Sequence, residues 1–116
     1  MHVVERLLEN AIEDNKVLIQ NQKMGDQTSI ARDIDFTLYA EDEQRANLVK
    51  NFIVDNRYGK PTVKRTEYRG QVRWQLQVIV HAPATENVVH TLSAFMVCLA
   101  ELYKLEYDGW GSTLQK

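Results

Sequence analysis

The chain has 116 residues, 44% of them hydrophobic and 26% charged, with a net charge of −2. That is one ordinary globular domain long enough for a real core, with no overall bias toward nucleic acid. A single cysteine, Cys98, excludes an intrachain disulfide and a cysteine-rich zinc site, and no apolar run approaches the ~20 residues of a membrane span. Acids in the first turns and the lack of a cleavable leader pattern point to a cytoplasmic protein.

Residues 1–24 read as an amphipathic helix. Val4, Leu7, Leu8, Ala11, Ile12, Leu18 and Ile19 recur at mixed three- and four-residue steps, with Glu5, Glu9, Glu13 and Asp14 expected on the other side. Gly25 ends it and a polar connector follows. A folded unit over residues 30–114 then begins with a half-buried strand. Ile34, Phe36 and Leu38 fall on one face, Asp33, Asp35, Thr37 and Tyr39 on the other. Glu41-Asp42-Glu43 opens a second helix with Ala46, Leu48, Val49, Phe52 and Ile53 as its buried side, stopped at Gly59-Lys60-Pro61.

A hairpin follows: Thr62 to Tyr68 and Val72 to His81, joined at Arg69-Gly70-Gln71. Trp74, Leu76, Val78 and Val80 form its inward row; Arg73, Gln75 and Gln77 face away. Thr85 is placed to cap a third helix, whose stripe runs Val88, Val89, Leu92, Phe95, Met96, Leu99, Leu102 and Tyr103. A short last strand starts near Glu106. Helix followed by βαββαβ predicts an α+β ferredoxin-like sandwich: a four-stranded antiparallel sheet of order 4-1-3-2, two helices on one face, and an extra N-terminal helix. The first and third strands, the most apolar, become central.

The last strand carries Glu106-Tyr107-Asp108-Gly109-Trp110-Gly111. Two glycines around a tryptophan imply a ring held in a defined place. With Leu99 to Tyr103 before it, Gly25-Asp26 in the connector and Arg32 to Asp35 at the strand start, this segment resembles the regulator of ribonuclease activity B family, protein inhibitors of ribonuclease E. The resemblance implies a non-catalytic regulator that modulates RNA decay by contact with ribonuclease E or its associated proteins. Inhibitory members can carry a strongly acidic tail after this segment. The sequence given ends at Lys116 without one, which implies a different target or looser binding.

Trp110, Asp108 and Tyr107 are the first candidates for partner contact, because tryptophan is enriched at interface hot spots. The plainer account is that Trp110 packs over the last helix while the glycines turn an edge strand. Lys60, Lys64, Arg65, Arg69 and Arg73, opposed only by Glu67, are a second candidate surface; the plainer account is an edge strand protected by charge. Asp35, Tyr39, Arg73 and Gln75 would line a ligand pocket on the open sheet face if the chain were a small-molecule sensor or a small enzyme. A cross-strand ion pair from Asp33 or Asp35 to Arg73 is the simpler reading of those acids. Only Tyr39 is aromatic among the outward positions of the two central strands, which argues against base stacking. His2, His81 and His90 lack ligand spacing, Cys98 sits in an apolar stripe, and no phosphate loop or catalytic triad is present, so no metal or cofactor is expected. The N-terminal helix would pack on the sandwich, or else serve a homodimer or a groove on a partner.

Overall fold

The computed structural model describes residues 2–116; Met1, counted above in the first helical segment, lies outside them. The elements run α1 (Val3–Lys23), β1 (Ala31–Ala40), α2 (Glu43–Asn56), β2 (Lys60–Tyr68), β3 (Gln71–Pro83), α3 (Glu86–Tyr103) and β4 (Glu106–Ser112). All strand pairs are antiparallel and the sheet order is β2-β3-β1-β4, so β1 and β3 are central and β4 is an edge.

The burial alternation of β1 is strict: Arg32, Ile34, Phe36, Leu38 and Ala40 are buried and their neighbours face out. Leu76 and Val78 of β3 share that buried face. Ala46, Val49 and Ile53 of α2 and Val89, Met96 and Leu99 of α3 close over it. α1 lies antiparallel on α3: Arg6 meets Glu101 and Asn15 meets His90.

Local signals explain the boundaries. Asp42 accepts from the Arg45 backbone N–H at 2.7 Å and caps α2. That helix stops at Asn56, ahead of Gly59, because Arg57 turns left-handed, and Lys60 and Pro61 are already edge strand. The β2–β3 turn is two residues long, since Gln71 pairs with Tyr68. Arg69 and Gly70 both have positive φ, the type I′ geometry that matches strand twist. Thr85 occupies the N-cap position of α3, but its hydroxyl makes no cap bond.

The helices correct three expectations. α1 seats on α3 through Leu7, Ala11, Asp14 and Leu18, a true i, i+4, i+7, i+11 row. Asp14 is therefore buried and not on the solvent side, whereas Val4, Leu8, Ile12 and Ile19 are exposed. Leu48 of α2 and Leu102 of α3 are exposed as well. Each lies beside its helix's packing arc, outside the span that the neighbouring elements cover.

Candidate functional site at the junction of α1 and β4

β4 presents different side chains to the two faces of the sheet. Phe36 pairs with Trp110 and Leu38 with Tyr107, so Thr37 faces the two residues Asp108-Gly109 and the edge bulges there. Gly109 carries φ +100°, which a side chain would strain; Gly111 has ordinary φ and room for a Cβ. The two glycines around the tryptophan thus differ: only Gly109 is required by the backbone. The bulge leaves Tyr107 and Trp110 on the helix side and Asp108 on the open side.

On the helix side the aromatic polar groups meet a buried carboxylate. Asp14 is 3% exposed. Its Oδ1 accepts from Trp110 Nε1 at 3.0 Å and from Ser93 Oγ at 3.3 Å, and its Oδ2 accepts from Asn10 Nδ2 at 3.2 Å. Asn10 Nδ2 also donates to Ser93 Oγ at 2.6 Å, and Tyr107 Oη lies 2.8 Å from the same hydroxyl. Ser93 has one proton; with it given to Asp14, Tyr107 donates to Ser93. The chain of donors therefore runs Tyr107 to Ser93 to Asp14, and suits an ionised carboxylate.

Burial nonetheless raises the Asp14 pKa above the usual carboxylate value, against the lowering effect of the Ser93 bond, the His90 charge and the Trp110 bond. Burial also pushes the Tyr107 phenol well up, despite its Ser93 bond. The result is a polar cluster that joins α1, α3 and β4, in which the Trp110 N–H, the Asn10 amide and the Ser93 hydroxyl all donate. Trp110 is half-buried, and its N–H is held by Asp14 of α1.

Two open clefts flank this cluster. One, of about 340 Å³, is lined by Asn10, Glu13, Asp14 and Val17 of α1 and by Tyr107 to Trp110 of β4. The other, of about 180 Å³, lies between Glu9 and Glu13 of α1 and Val97 and Glu101 of α3. Arg6 is paired with Glu101 at 3.2 Å. Glu9 and Glu13 bring acid to the rims, Glu13 paired with Lys16 at 3.1 Å, and Asp108 stands where the larger cleft meets the open face.

A second buried anchor ties the chain beyond β4 to the connector after α1. Arg32 Nη1 meets Asp26 Oδ1 at 2.6 Å, both side chains 1% exposed. The same guanidinium donates to the carbonyls of Gln27, Ile30 and Thr113, and Asp26 Oδ1 also accepts from the Gln115 backbone N–H. Asp26 Oδ2 has no partner among the described residues.

The open face is arranged differently from expectation. Arg73 lies past the end of β1, where it pairs with Glu41 at 3.2 Å and Gln71 at 2.6 Å; Asp33 instead meets His81 at 2.9 Å. The register explains this: Asp33 faces His81 and Asp35 faces Ile79, so neither acid reaches Arg73. Tyr39 faces Gln75, and is covered by Tyr68 of β2, the two rings stacked at 3.9 Å. A second aromatic therefore joins Tyr39 on this face, and each ring occupies the other. Tyr68 Oη donates to Asp108 Oδ1 at 3.1 Å, and Arg69 pairs with Glu106 at 3.2 Å, so the hairpin tip reaches across to β4. Burial raises the pKa of Tyr39 and of Tyr68, with nearby Asp108 adding to both.

The hairpin cations do not form one patch. Lys60 and Lys64 register with Ile79 and Gln75 on the open face, Arg65 registers with Trp74 on the opposite side, and Arg69 and Arg73 are engaged by acids. Of the four residues proposed for a ligand pocket, Tyr39 and Arg73 line a hollow of about 150 Å³ with Glu41, Lys104, Leu105 and Glu106; Asp35 and Gln75 lie outside it. Among the described residues no cluster of His, Cys, Asp and Glu is arranged to hold a metal ion, and no helix is long and apolar enough to cross a membrane.

Asn10 and Ser93 carry no signal in the sequence, Asp14 reads there as a solvent-side acid, and Asp26 and Arg32 enter only as marks of the resemblance and not as a pair. A signal existed: Asp14 is an acid inside the Leu7, Ala11, Leu18 row, where a buried polar group implies a partner. The cluster also explains why the closing segment has its composition, because Trp110 and Tyr107 supply the ring and hydroxyl that reach Asp14 and Ser93.

No curated protein matches the chain closely enough to count as a relative. The family model described as regulator of ribonuclease activity B matches residues 11–112, a span that holds Asp14, Asp26, Arg32, Ser93 and the whole of β4. The chain belongs to the regulator of ribonuclease activity B family.

Proposed function

We propose that this protein is a non-catalytic regulator that slows RNA decay by binding a protein partner, ribonuclease E or a protein associated with it. The observation behind this reading is the acidic cleft beside the Asp-Gly-Trp-Gly segment. Glu13 and Asp108 line it, Glu13 paired with Lys16 and the Asp108 carboxylate turned to Tyr68 at the open-face end, while the polar groups of Tyr107 and Trp110 are committed inward. Enzymes that act on RNA carry basic surface, and an acidic rim offers charge complementarity to such a surface. The contact residues are then Asp108 and Glu13, with the accessible edges of Tyr107 and Trp110. Lys64 and Arg65 of the hairpin lie on opposite faces and do not make one second contact surface, and Arg69 is withdrawn to Glu106. In this reading α1 belongs to the same folding unit as residues 30–114, since Asp14 and Leu18 are buried against it. The strand order read from β4, 4-1-3-2, supports the ferredoxin-like class. The lone thiol, Cys98, fits a reducing compartment such as the cytoplasm.

Purified ribonuclease E, alone and with its associated proteins, tests the reading by binding and by RNA cleavage. The wild-type chain is expected to bind and inhibit. Glu13→Lys with Asp108→Lys should weaken binding by about tenfold or more at unchanged melting temperature, since both side chains are exposed rim charges. No binding and no inhibition by the wild-type chain would sink it. Binding to RNA alone with a steep salt dependence would move the action to nucleic acid. The small-molecule alternative on the open face has less behind it: only half of its residues share a hollow, and Tyr68 covers Tyr39. A thermal-shift screen with Arg73→Ala as control checks it.

A further inference from the structure

The outer side of α1 carries a row of large apolar side chains that none of the described residues covers. Val4 is 57% exposed, Leu8 63%, Ile12 57% and Ile19 52%. The inner row, Leu7, Ala11, Asp14 and Leu18, already seats the helix on α3, so the outer row is surplus to the fold. A monomer seldom keeps four large apolar side chains exposed along about four turns of one helix face. The family match begins at residue 11, so Val4 and Leu8 lie ahead of the segment it describes.

The charges beside the stripe say what fits it. At 100° per residue, Glu5, Glu9, Lys16 and Lys23 fall within about 40° of one another along one border of the row. Acids occupy its first half and bases its second. Asn15 and Gln22 fall on the other side of the row, toward α3, and are uncharged; Asn15 meets His90 there at 3.0 Å. An antiparallel pair of identical helices brings each border against itself and reverses its direction. Glu5 and Glu9 of one copy then meet Lys23 and Lys16 of the other, twice over. A parallel pair would set the charged border against the uncharged one and form none of these contacts. With the two-fold axis between Ile12 and Asn15, Leu8 of one copy lies beside Ile19 of the other. Lys16 is held within the chain only by Glu13, an exposed pair at 3.1 Å that costs little to release.

We propose that the outer face of α1 binds a second copy of this chain, forming an antiparallel two-fold dimer through Val4, Leu8, Ile12 and Ile19. The contact is isologous and closes on itself, leaving no further sticky surface on α1. It also leaves the cleft beside β4 open on each copy, because that cleft lies on the opposite flank of α1, toward Val17 and Glu13.

Sedimentation of the full chain from about 5 to about 500 µM spans the range in which so small an interface dissociates. The mass should rise from monomer to dimer, and Ile12→Glu should keep it monomeric throughout. The decisive arm uses two variants. One carries Glu5→Lys and Glu9→Lys, the other Lys16→Glu and Lys23→Glu. Each alone should lose at least tenfold in dimer affinity, and the two mixed should form a heterodimer as tight as the wild-type pair. All the altered side chains are exposed, so an unchanged circular-dichroism melt separates lost association from lost folding. A wild-type chain that stays monomeric at the highest concentration overturns the proposal. So does a dimer indifferent to Ile12→Glu, or a mixture of the two variants that does not associate.

Discussion

β4 is gripped from both faces of the sheet, and the two grips differ in kind. On the helix side Trp110 and Tyr107 reach Asp14 and Ser93, and beyond the strand Thr113 and Gln115 are held by the buried Arg32–Asp26 pair. On the open side Glu106 and Asp108 are met by Arg69 and Tyr68 from the tip of the hairpin. Both sets are polar contacts of similar length. Their surroundings are what separates them. A buried polar group that loses its partner cannot turn to water, while an exposed one can. The inner grip should therefore fix the edge strand and α1 in place, and the outer one should only trim the hairpin.

The largest effect expected is at Arg32. Arg32→Ala strands a carboxylate that is already short of one partner and releases three backbone carbonyls. Removing one member of a buried pair costs about 3–5 kcal/mol. Chemical denaturation measures it, and Arg32→Lys should recover little of the loss because a single ammonium cannot replace the guanidinium fork. A cost near zero would erase the distinction between the two grips.

Next comes Asp14→Ala, which leaves the Trp110 N–H and the Ser93 hydroxyl without their acceptor. Each buried unsatisfied group costs about 1–3 kcal/mol, and Trp110 is only half-buried, so a loss of about 2–4 kcal/mol is expected. The same variant should open Trp110 to a fluorescence quencher, measured in a Trp74→Phe background so that only one indole reports. If α1 is the inner grip's handle, amide exchange along α1 should rise with the same substitution while β2 and β3 stay protected.

How much of this was legible before the structure depends on where the deciding contact lies. The alternation of Ile34, Phe36 and Leu38 announces a strand buried on one face, since neighbouring residues alone set that pattern. Trp74, Leu76 and Val78 do the same for β3, and the central positions of both strands follow. The faces of helices were less legible. Leu48 and Leu102 look as buried as Val49 and Leu99, because which arc of a helix is covered depends on elements far away in the chain. The site divided in the same manner. Tyr107, Asp108 and Trp110 stand out by composition within six residues. Their partners do not: Asp14 lies 96 positions from Trp110, and an acid on an amphipathic helix is ordinarily a solvent residue. The pairing of Asp33 with His81, and of Arg73 with Glu41, needed the strand register, which a one-residue slip would reverse.

Asp14→Asn sharpens the inner grip by titrating it. Burial raises the Asp14 pKa in the folded chain above its unfolded value. Between those two values the folded state holds more protons, so stability falls as pH rises across that window and is level above it. An asparagine keeps the acceptor for Trp110 and Ser93 but cannot ionise. The stability advantage of the wild type over Asp14→Asn should therefore be greatest below the ordinary carboxylate pKa and shrink as pH rises. Unfolding at a series of pH values reads this directly. An advantage that grows with pH would mean that the three hydrogen bonds outweigh burial.

The smallest effect is on the outer side, and there the sign is informative. Arg69 sits at φ +53° in a two-residue turn, a conformation that costs a residue other than glycine, asparagine or aspartate about 1 kcal/mol. Its compensations are the exposed pair with Glu106 and its position 4.9 Å from the Tyr68 ring. At 72% exposure that pair is worth about 0–0.5 kcal/mol, and an exposed cation over a ring adds about as much. Arg69→Asn gives up both contacts and relieves the backbone. The two changes nearly cancel, so denaturation should find the variant within about 0.5 kcal/mol of wild type, on the stabilised side. A clear loss would show that the hairpin tip holds β4 as firmly as α1 does, and the two grips would then be equal after all.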